Sequence, residues 1–386
     1  MKKQTVQLIC ACLAGFAFSA NYTNHAPIAA ILMKQFAYTK TMAGLLTTGI
    51  FTTHALMQIP GGHLADKFGG KKVLIVALAI VCIGNIGIAF STGYNQLLFW
   101  KIFVGFGTGT SFVSGARYIA QVMPHQMLHK AQGYYGASVL SGSGFVIFAV
   151  PRLAEHFGWS GSFLTTASVA ILALIVWLTI APNPEIKPHP HVSIGSLLSH
   201  GQLWLLGLVQ MASFGLALVI GSWIVELLKT KMGLPPIKAG AIGSLVLLLG
   251  IFTRVYGAAL VSKIGYRKLL VVSLTFNIIG CSLLAMNNPS YSIALVAIVL
   301  IGIGSGLPYA ALFNRAVALF PGRGGAAMGL VNMLGIVMIL GGAPLVGKIA
   351  DWTGSFSSAF LSMAVFSFVA MLASFGIKKH YHQEHT

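Results

Sequence analysis

Arg254 is the residue of this sequence whose type and position point most directly to chemistry. It interrupts a long apolar segment, where a charged side chain is costly unless it faces a partner or a polar cavity. Acidic partners are scarce, because the chain has 6 Asp and Glu residues and only Glu226 lies inside an apolar segment. Arg254 therefore predicts an anionic ligand. A structural hydrogen bond to backbone carbonyls at a helix contact is the alternative.

A second group of polar residues interrupts the first apolar segment. Residues 21–25 all have polar side chains, and a helix in an apolar environment cannot leave all of them unpartnered. We expect Asn21, Tyr22 and Asn24 to line a cavity; the alternative is interhelical hydrogen bonding, worth only ~0.6 kcal/mol on average in membranes. His25 is a candidate proton carrier, because imidazole titrates near neutral pH. Glu226 is a second candidate proton site, or a solvated residue beside a lysine.

The elements that position these residues follow from composition. The chain is 56% hydrophobic and 8% charged, whereas a soluble domain carries about 25% charged residues. Apolar runs of about 20 residues match transmembrane helices. The net charge of +18 sits mainly in the short connections between these runs. It therefore favours orientation in a membrane, with some attraction to anionic lipid, over binding of nucleic acid.

Twelve membrane spans are predicted, in an all-α membrane protein. They cover residues 7–33, 41–62, 73–92, 96–121, 130–151, 159–181, 201–228, 238–262, 268–287, 291–319, 325–347 and 355–377. The connector 182–200 is rich in proline, which cannot continue a helix, so we expect an extended linker there. The chain thus divides into a six-helix bundle over 1–181, this linker, a second six-helix bundle over 201–377 and a tail over 378–386.

Lysine and arginine counts predict the orientation of these spans. With both termini in the cytoplasm, the inner loops and tails hold thirteen Lys and Arg residues and the outer loops hold seven. The N-terminal segment resembles a signal peptide. We nevertheless expect this segment to be retained. Cleavage after Ala20 would need a small residue at the third position before the cut, and that position holds Phe18.

The two halves share one plan. Three landmarks recur in the same order at offsets of 193 to 197 residues; they pair 61–72 with 257–268, 105–109 with 302–306, and 151–163 with 344–356. Parallel six-span halves predict a binding site near the middle of the membrane, where the halves meet.

These residues carry a resemblance to the major facilitator superfamily over the whole chain. Residues 62–72 are similar to its Gly-x-Leu-Ala-Asp-Arg/Lys-x-Gly-Arg/Lys-Arg/Lys loop with one extra glycine, and Lys101 to Gly107 resemble its Arg-x-x-x-Gly-x-Gly motif with lysine in place of arginine. The resemblance implies two pseudo-symmetric six-helix bundles, with spans 1, 4, 7 and 10 around a central cavity. It also implies a transporter that works by alternating access, usually as a monomer and without a cofactor.

The resemblance further implies a gate in the glycine-rich loop. Asp66 would cap the N-terminus of span eleven, where exposed N–H groups favour an anion. A solvated turn is the alternative. The other expected gating residues are glycines that allow close approach and lysines that meet carbonyls or lipid phosphate: Gly62, Gly70, Lys71 and Lys72. The second copy of the loop has Ser262 in place of the acid, so a matching latch there should be weaker.

Gln58 is the first-half counterpart of Arg254, and His54 lies one helical turn from it on the same face. This arrangement is similar to the nitrate/nitrite porter branch, in which two arginines clamp a small planar anion. The sequence departs from that branch because one arginine is glutamine. A monocarboxylate or another small organic anion fits a single cation equally well. Asn332 belongs to a segment with a partial likeness to that branch's glycine-rich signature.

The remaining candidates are Arg117 and Arg315, near the inner ends of spans four and ten. They would draw anions into the inner vestibule, or extend to the lipid headgroups. The chain has no Walker loop, no catalytic acid pair and no closed set of metal ligands. The sequence therefore predicts a secondary transporter of a bacterial inner membrane, coupled to a proton or ion. The alternatives are an efflux antiporter for drugs or metabolites and a non-transporting receptor with the same fold.

Overall fold

The computed structural model describes residues 3–183, 194–287, 289–320 and 324–378 of the chain. Within these ranges the regular secondary structure is helical throughout. The first part of the proline-rich connector, including residues 184–193, lies outside the described ranges. Its last part, which carries no proline at residues 194–198, forms a short helix rather than the expected extended linker.

The first half of the chain contains seven helices and one 3-10 turn. The helices are α1 (Lys3–Tyr22), α2 (Ala29–Phe36), α3 (Lys40–Leu56), α4 (Gln58–Phe68), α5 (Gly70–Ala89), α6 (Tyr94–Val122) and α7 (His125–Thr179), and the 3-10 turn Ala26–Ile28 lies between α1 and α2. Helix α7 is broken at Gly158, whose φ of 71° is left-handed. It therefore forms two crossings.

The second half contains ten helices and one π-helical turn in the described residues. The helices are α8 (Ile194–Leu198), α9 (Gly201–Gln210), α10 (Leu216–Met232), α11 (Pro236–Gly243), α12 (Leu245–Ile264), α13 (Tyr266–Ala285), α14 (Tyr291–Gly306), α15 (Pro308–Leu319), α16 (Gly324–Thr353) and α17 (Ser357–Ser374), and the π turn Met211–Gly215 joins α9 to α10.

These helices account for twelve crossings. Ten helical stretches of the described chain are long and apolar enough to span a membrane, and the one over Ala131–Thr179 supplies two crossings because of its break at Gly158. Helices α3 and α4 supply the twelfth, which is interrupted at Met57. Because the number of crossings is even, Lys3 and Lys378 lie on one side of the membrane. We name this side the terminal face and the opposite side the distal face.

Two pairs of glycines mark the repeat in the structure. Gly69 and Gly265 turn the chain with φ values of 88° and 81°, and Gly158 and Gly354 do so with 71° and 67°. Both pairs are 196 residues apart, since 265 − 69 = 354 − 158 = 196. Left-handed backbone favours glycine because it has no Cβ. The two halves therefore turn at equivalent places.

Several crossings are interrupted near their middle. Pro27 and Pro60 each lack the N–H that would continue the helix, and the chain breaks beside them, after α1 and between α3 and α4. Span seven contains the π turn Met211–Gly215, and span ten is broken at Leu307, before Pro308. In other transporter folds, interrupted helices near the bilayer middle build the substrate site.

The halves meet closely at the distal face. Helix α3 packs on α16, and a Cβ on Gly44 would lie 2.4 Å from the Cα of Pro344. The first crossing of α7 packs on α11, where a Cβ on Gly240 would lie 2.6 Å from the carbonyl oxygen of Ile147. Near the terminal face, a Cβ on Gly62 would meet no atom within 4 Å. The structure is thus closed at the distal face along these two contacts.

Candidate functional site

Arg254 lies on α12 and is buried, with 9% of its surface exposed. One guanidinium nitrogen, Nη1, donates to the backbone carbonyl of Gly136 on α7, across the boundary between the halves, at 3.3 Å. The guanidinium carbon lies 4.2 Å from the ring centre of Tyr309 and 5.7 Å from that of Phe214. The cation is therefore held between two aromatic rings of its own half and a carbonyl of the other half.

The acidic side chains that the structure describes do not neutralise Arg254. Glu226 pairs with Lys229 at 3.2 Å. Asp351 binds backbone N–H groups at the start of α3, and Glu155 is exposed near the end of the first crossing of α7. In addition, the Nε of Arg254 makes no hydrogen bond among the described atoms. A buried donor without a partner is costly, so this side chain is suited to an anionic ligand.

The first half contributes Tyr22 and His54 to the same region. The Tyr22 hydroxyl accepts a hydrogen bond from Ser143 at 2.9 Å and lies within electrostatic range of Arg254. The rings of Tyr22 and His54 meet edge to face, with centres 6.0 Å apart. A hydrogen bond to α6 fixes the His54 ring, because its Nδ1 lies 3.0 Å from the hydroxyl of Thr108. Gln58, half-buried, reaches back to the His54 carbonyl at 3.5 Å.

Asn21 and Asn24 are placed elsewhere, inside the first bundle. Both are fully buried and hydrogen-bonded to Thr166 of α7. Asn24 also binds Asn85, and its side-chain oxygen accepts from the Nζ of Lys101. These are the interhelical hydrogen bonds of the alternative interpretation. Residues 21–25 lie at the end of α1 and just beyond it, so rotation about the helix axis separates these asparagines from Tyr22.

Lys101 is a second buried cation that the sequence did not single out as a site. It is 1% exposed, and its Nζ donates to Asn24 and lies 3.4 to 3.5 Å from the carbonyls of Asn21 and Tyr22. The ring of Phe163 lies 5.4 Å away. Its described partners are neutral, so the amine is held by hydrogen bonds rather than by a carboxylate. The sequence signals were a charge inside an apolar span and the likeness of residues 101–107 to the Arg-x-x-x-Gly-x-Gly motif.

The two candidate proton carriers lie in different surroundings. The Nε2 of His25 lies 3.0 Å from the hydroxyl of Thr47, and its Nδ1 makes no described hydrogen bond. His25 is buried in the first bundle beside Lys101, with which it interacts electrostatically. Glu226 forms the ion pair with Lys229 near the distal end of α10. Neither carrier contacts Arg254 directly in the described interactions.

The glycine-rich loop places the start of α5 against α6. A Cβ on Gly70 would lie 2.9 Å from backbone atoms of Ser114 and Tyr118, so this glycine permits close approach. Lys71 donates to the carbonyl of Ala181 at the end of α7, and Lys72 is exposed. The side chain of Asp66 and residues 321–323 lie outside what the structure describes. The latch therefore stays a prediction.

The remaining predicted residues are dispersed. Arg315 donates to the carbonyl of Lys378, next to the C-terminal tail, and Arg117 is half-buried near the end of α6. Asn332 is half-buried on α16. In the described residues, His, Cys, Asp and Glu form no group that could hold a metal ion. Tyr309 and Phe214 were missed, because an aromatic residue in an apolar helix carries no signal of its own.

Comparison with known proteins agrees with this architecture. A family model described as the Major Facilitator Superfamily matches residues 11–335 and 203–386. The chain belongs to the major facilitator superfamily. It is a multi-pass membrane protein and a secondary transporter, which moves a small solute by alternating access.

Individual members of the superfamily resemble the chain at lower identity. The probable nitrate transporter NarT of Staphylococcus epidermidis is 25% identical over 84% of this chain and 84% of its own. The 2-nitroimidazole transporter of Escherichia coli K12 is 24% identical over 92% and 90%. A bacterial homolog of the human lysosomal transporter Spinster, solved in an inward-facing and occupied conformation, superposes with a TM-score of 0.79 at 17% identity, over 98% of this chain and 97% of that one.

Proposed function

We propose that this transporter carries a small monovalent anion, which binds to Arg254 near the middle of the membrane. The observation that carries the proposal is the unneutralised guanidinium, buried at the boundary between the halves. A buried cation is stable only with a partner, and the described acids are engaged or exposed elsewhere. A substrate anion would supply that partner, and its release would follow when the site opens to water.

A single cation favours one negative charge over two. The first-half wall offers the neutral side chains of Tyr22, His54 and Gln58, which can donate or accept hydrogen bonds. Nitrate, nitrite and small monocarboxylates all match this set. The similarity to NarT supports the inorganic anions. Gln58 in the place of a second arginine supports weaker binding or an organic anion.

A thermal-shift screen tests the proposal. A ligand that binds the folded protein raises its apparent stability by RT ln(1 + [L]/Kd), about 2.7 kcal/mol at a hundredfold excess over Kd. We expect nitrate, nitrite, formate, acetate or lactate to raise Tm in wild type and to have no effect in Arg254→Gln. Arg152→Gln, which removes an arginine near the distal face, is the matched control. An anion shift that survives in Arg254→Gln would contradict the proposal.

Efflux of nitroaromatic or other lipophilic compounds is the second candidate function. Two observations favour it: the aromatic residues Tyr22, Phe214 and Tyr309 around Arg254, and the similarity to the 2-nitroimidazole transporter. The same screen separates the two functions. A Tm shift with 2-nitroimidazole or a lipophilic cation, without a shift by any of the anions, would replace anion transport with efflux.

We further propose that the terminal face is cytoplasmic, in a bacterial inner membrane. The excess of Lys and Arg in the connections on that side supports this orientation. In the proposed arrangement residues 182–200 separate two six-helix bundles, and the protein works as a monomer in contact with membrane lipid. Transport is coupled to a proton through His25 or Glu226. His25→Gln should flatten the pH dependence of uptake, and Glu226→Gln is the matched test of the other carrier.

A further inference from the structure

A polar contact at the distal face joins the two halves and takes no part in the proposed anion site. Asp351, near the end of α16, accepts hydrogen bonds from the backbone N–H groups of Lys40 at 3.2 Å and Thr41 at 2.7 Å. The Thr41 hydroxyl also donates to this carboxylate, at 2.6 Å. Lys40 is the first residue of α3. The carboxylate therefore caps a helix of the opposite half, where the unpaired N–H groups and the helix dipole favour a negative charge.

The contact continues along α3 and α16 towards the middle of the membrane. A Cβ on Gly347 would lie 2.4 Å from the carbonyl oxygen of Lys40, so the two backbones touch there. One turn further, Gly44 touches Pro344 in the same way, and the Thr48 hydroxyl donates to the carbonyl of Leu340 at 2.7 Å. This surface must separate whenever the distal face opens.

The repeat supplies a natural comparison at the other distal contact, between α7 and α11. Gly44 faces the carbonyl of Ala343, and Gly240 faces that of Ile147; both pairs differ by 196 residues, since 240 − 44 = 343 − 147 = 196. By the same offset, Asp351 corresponds to Glu155, since 351 − 196 = 155. The two interfaces are therefore equivalent in structure, and each carries one acid.

The two acids nevertheless meet different helix starts. The counterpart of Lys40 is Pro236, since 40 + 196 = 236, and the next residue, Ile237, has no hydroxyl. Proline has no N–H to donate. Both acids are exposed, but in the described residues only Asp351 accepts hydrogen bonds from the opposite half. Of the three donors that hold Asp351, the second contact therefore keeps one, the backbone N–H of Ile237.

We propose that Asp351 is a gating residue, which stabilises the state closed at the distal face by capping α3. In the open state water would replace the carboxylate on the same N–H groups, so the difference between the states is modest. Caps and charges at helix ends typically change an equilibrium by about twofold to thirtyfold. An effect of this size biases the closed state without locking it, as a transport cycle requires.

Spin-label distances across the distal face test this proposal without any substrate. Asn95 and Met286 are exposed, near the distal face, in opposite halves. Labels at these two positions would be introduced in a full-length variant whose native cysteines are replaced: Cys10, Cys12, Cys82 and Cys281. The distance distribution then reports the fraction of distal-open protein, whatever the transported solute is.

We expect Asp351→Asn, which removes the charge and keeps one acceptor oxygen, to raise the ratio of distal-open to distal-closed protein by about twofold to fivefold. Thr41→Val, which removes one donor and keeps the backbone cap, should produce a smaller shift in the same direction. Glu155→Gln is the matched control and should leave the distribution unchanged. Unchanged distances in both Asp351→Asn and Thr41→Val would overturn the proposal. An equal shift in Glu155→Gln would also overturn it, because the effect would then be general to acids at this face.

Discussion

The ring centre of Tyr309 lies 4.2 Å from the guanidinium carbon of Arg254. This is the shorter of the two ring contacts that the cation makes in the described chain. Tyr309 follows Pro308, directly after the break in span ten, because proline cannot continue the preceding helix. The ring stacks on the cation and leaves the edge with Nε unpartnered. Tyr309 thus orients the arginine, and the proposed anion completes its hydrogen bonds.

The first prediction concerns this ring. Tyr309→Leu removes a cation–π contact worth about 0.5–2 kcal/mol, so the anion identified by the thermal-shift screen should bind about twofold to thirtyfold more weakly. Tyr309→Phe keeps the ring and should bind nearly as wild type. Titration of the anion against each purified variant measures the change. Equal losses in both variants would show that the hydroxyl, rather than the ring, matters.

The second prediction concerns Lys101. Lys101→Met removes a buried donor from the side chain of Asn24 and from the carbonyls of Asn21 and Tyr22. Leaving buried acceptors without partners costs about 1–3 kcal/mol each, so the variant should lose at least about 1 kcal/mol of stability. The midpoint of thermal unfolding in detergent, without anion, measures the loss.

An exposed lysine provides the control for this experiment. Lys72→Met removes a cation from the glycine-rich loop, where the side chain is exposed. Its free energy of unfolding should stay within about 0.5 kcal/mol of the wild-type value. If Lys101→Met were as stable as Lys72→Met, the hydrogen bonds that Lys101 donates would contribute nothing to the bundle.

Much of the architecture could be predicted from the sequence, because membrane spans are long and their apolar composition is distinctive. Arg254 could be predicted as well, since a charge in an apolar run stands out. The positions of Asn21 and Asn24 could not, because they depend on how α1 is rotated in its bundle. Tyr309 is equally invisible in the sequence: its role arises only from the packing of α12 beside α15.

The repeat shows a similar limit. Aligned sequences pair Gly161 with Gly354 at an offset of 193, but the structure turns at Gly158, 196 residues before Gly354. Similar Trp-x-Gly-Ser-Phe residues therefore occupy shifted places in the two halves. Only the three-dimensional structure distinguishes the two registers, and the correspondence of Glu155 with Asp351 depends on that distinction.

The third prediction concerns the close contact of Gly44 with Pro344. A Cβ at position 44 would lie 2.4 Å from a backbone atom, so Gly44→Ala must push α3 away from α16. Overpacking of this kind costs about 1–3 kcal/mol, and the variant should favour the distal-open state in the spin-label experiment. Gly341→Ala, on α16 where a Cβ meets nothing within 4 Å, should not change the distances. Identical distributions in the two variants would mean that this contact does not hold the distal face closed.

The fourth prediction concerns the opposite end of the same helix pair. Span two ends at the terminal face near Asp66, and α16 begins at Gly324 on the same face and ends at the distal face near Asp351, which caps α3. If Asp66 caps α16 when the terminal face closes, Asp66→Asn should slow uptake of the identified anion by about twofold to tenfold, with an unchanged unfolding midpoint. Ser262→Ala, in the second copy of the loop, is the matched control and should transport normally. Radiolabelled or fluorescent-reporter uptake into proteoliposomes measures both, and normal uptake by Asp66→Asn would rule out the cap at the terminal face.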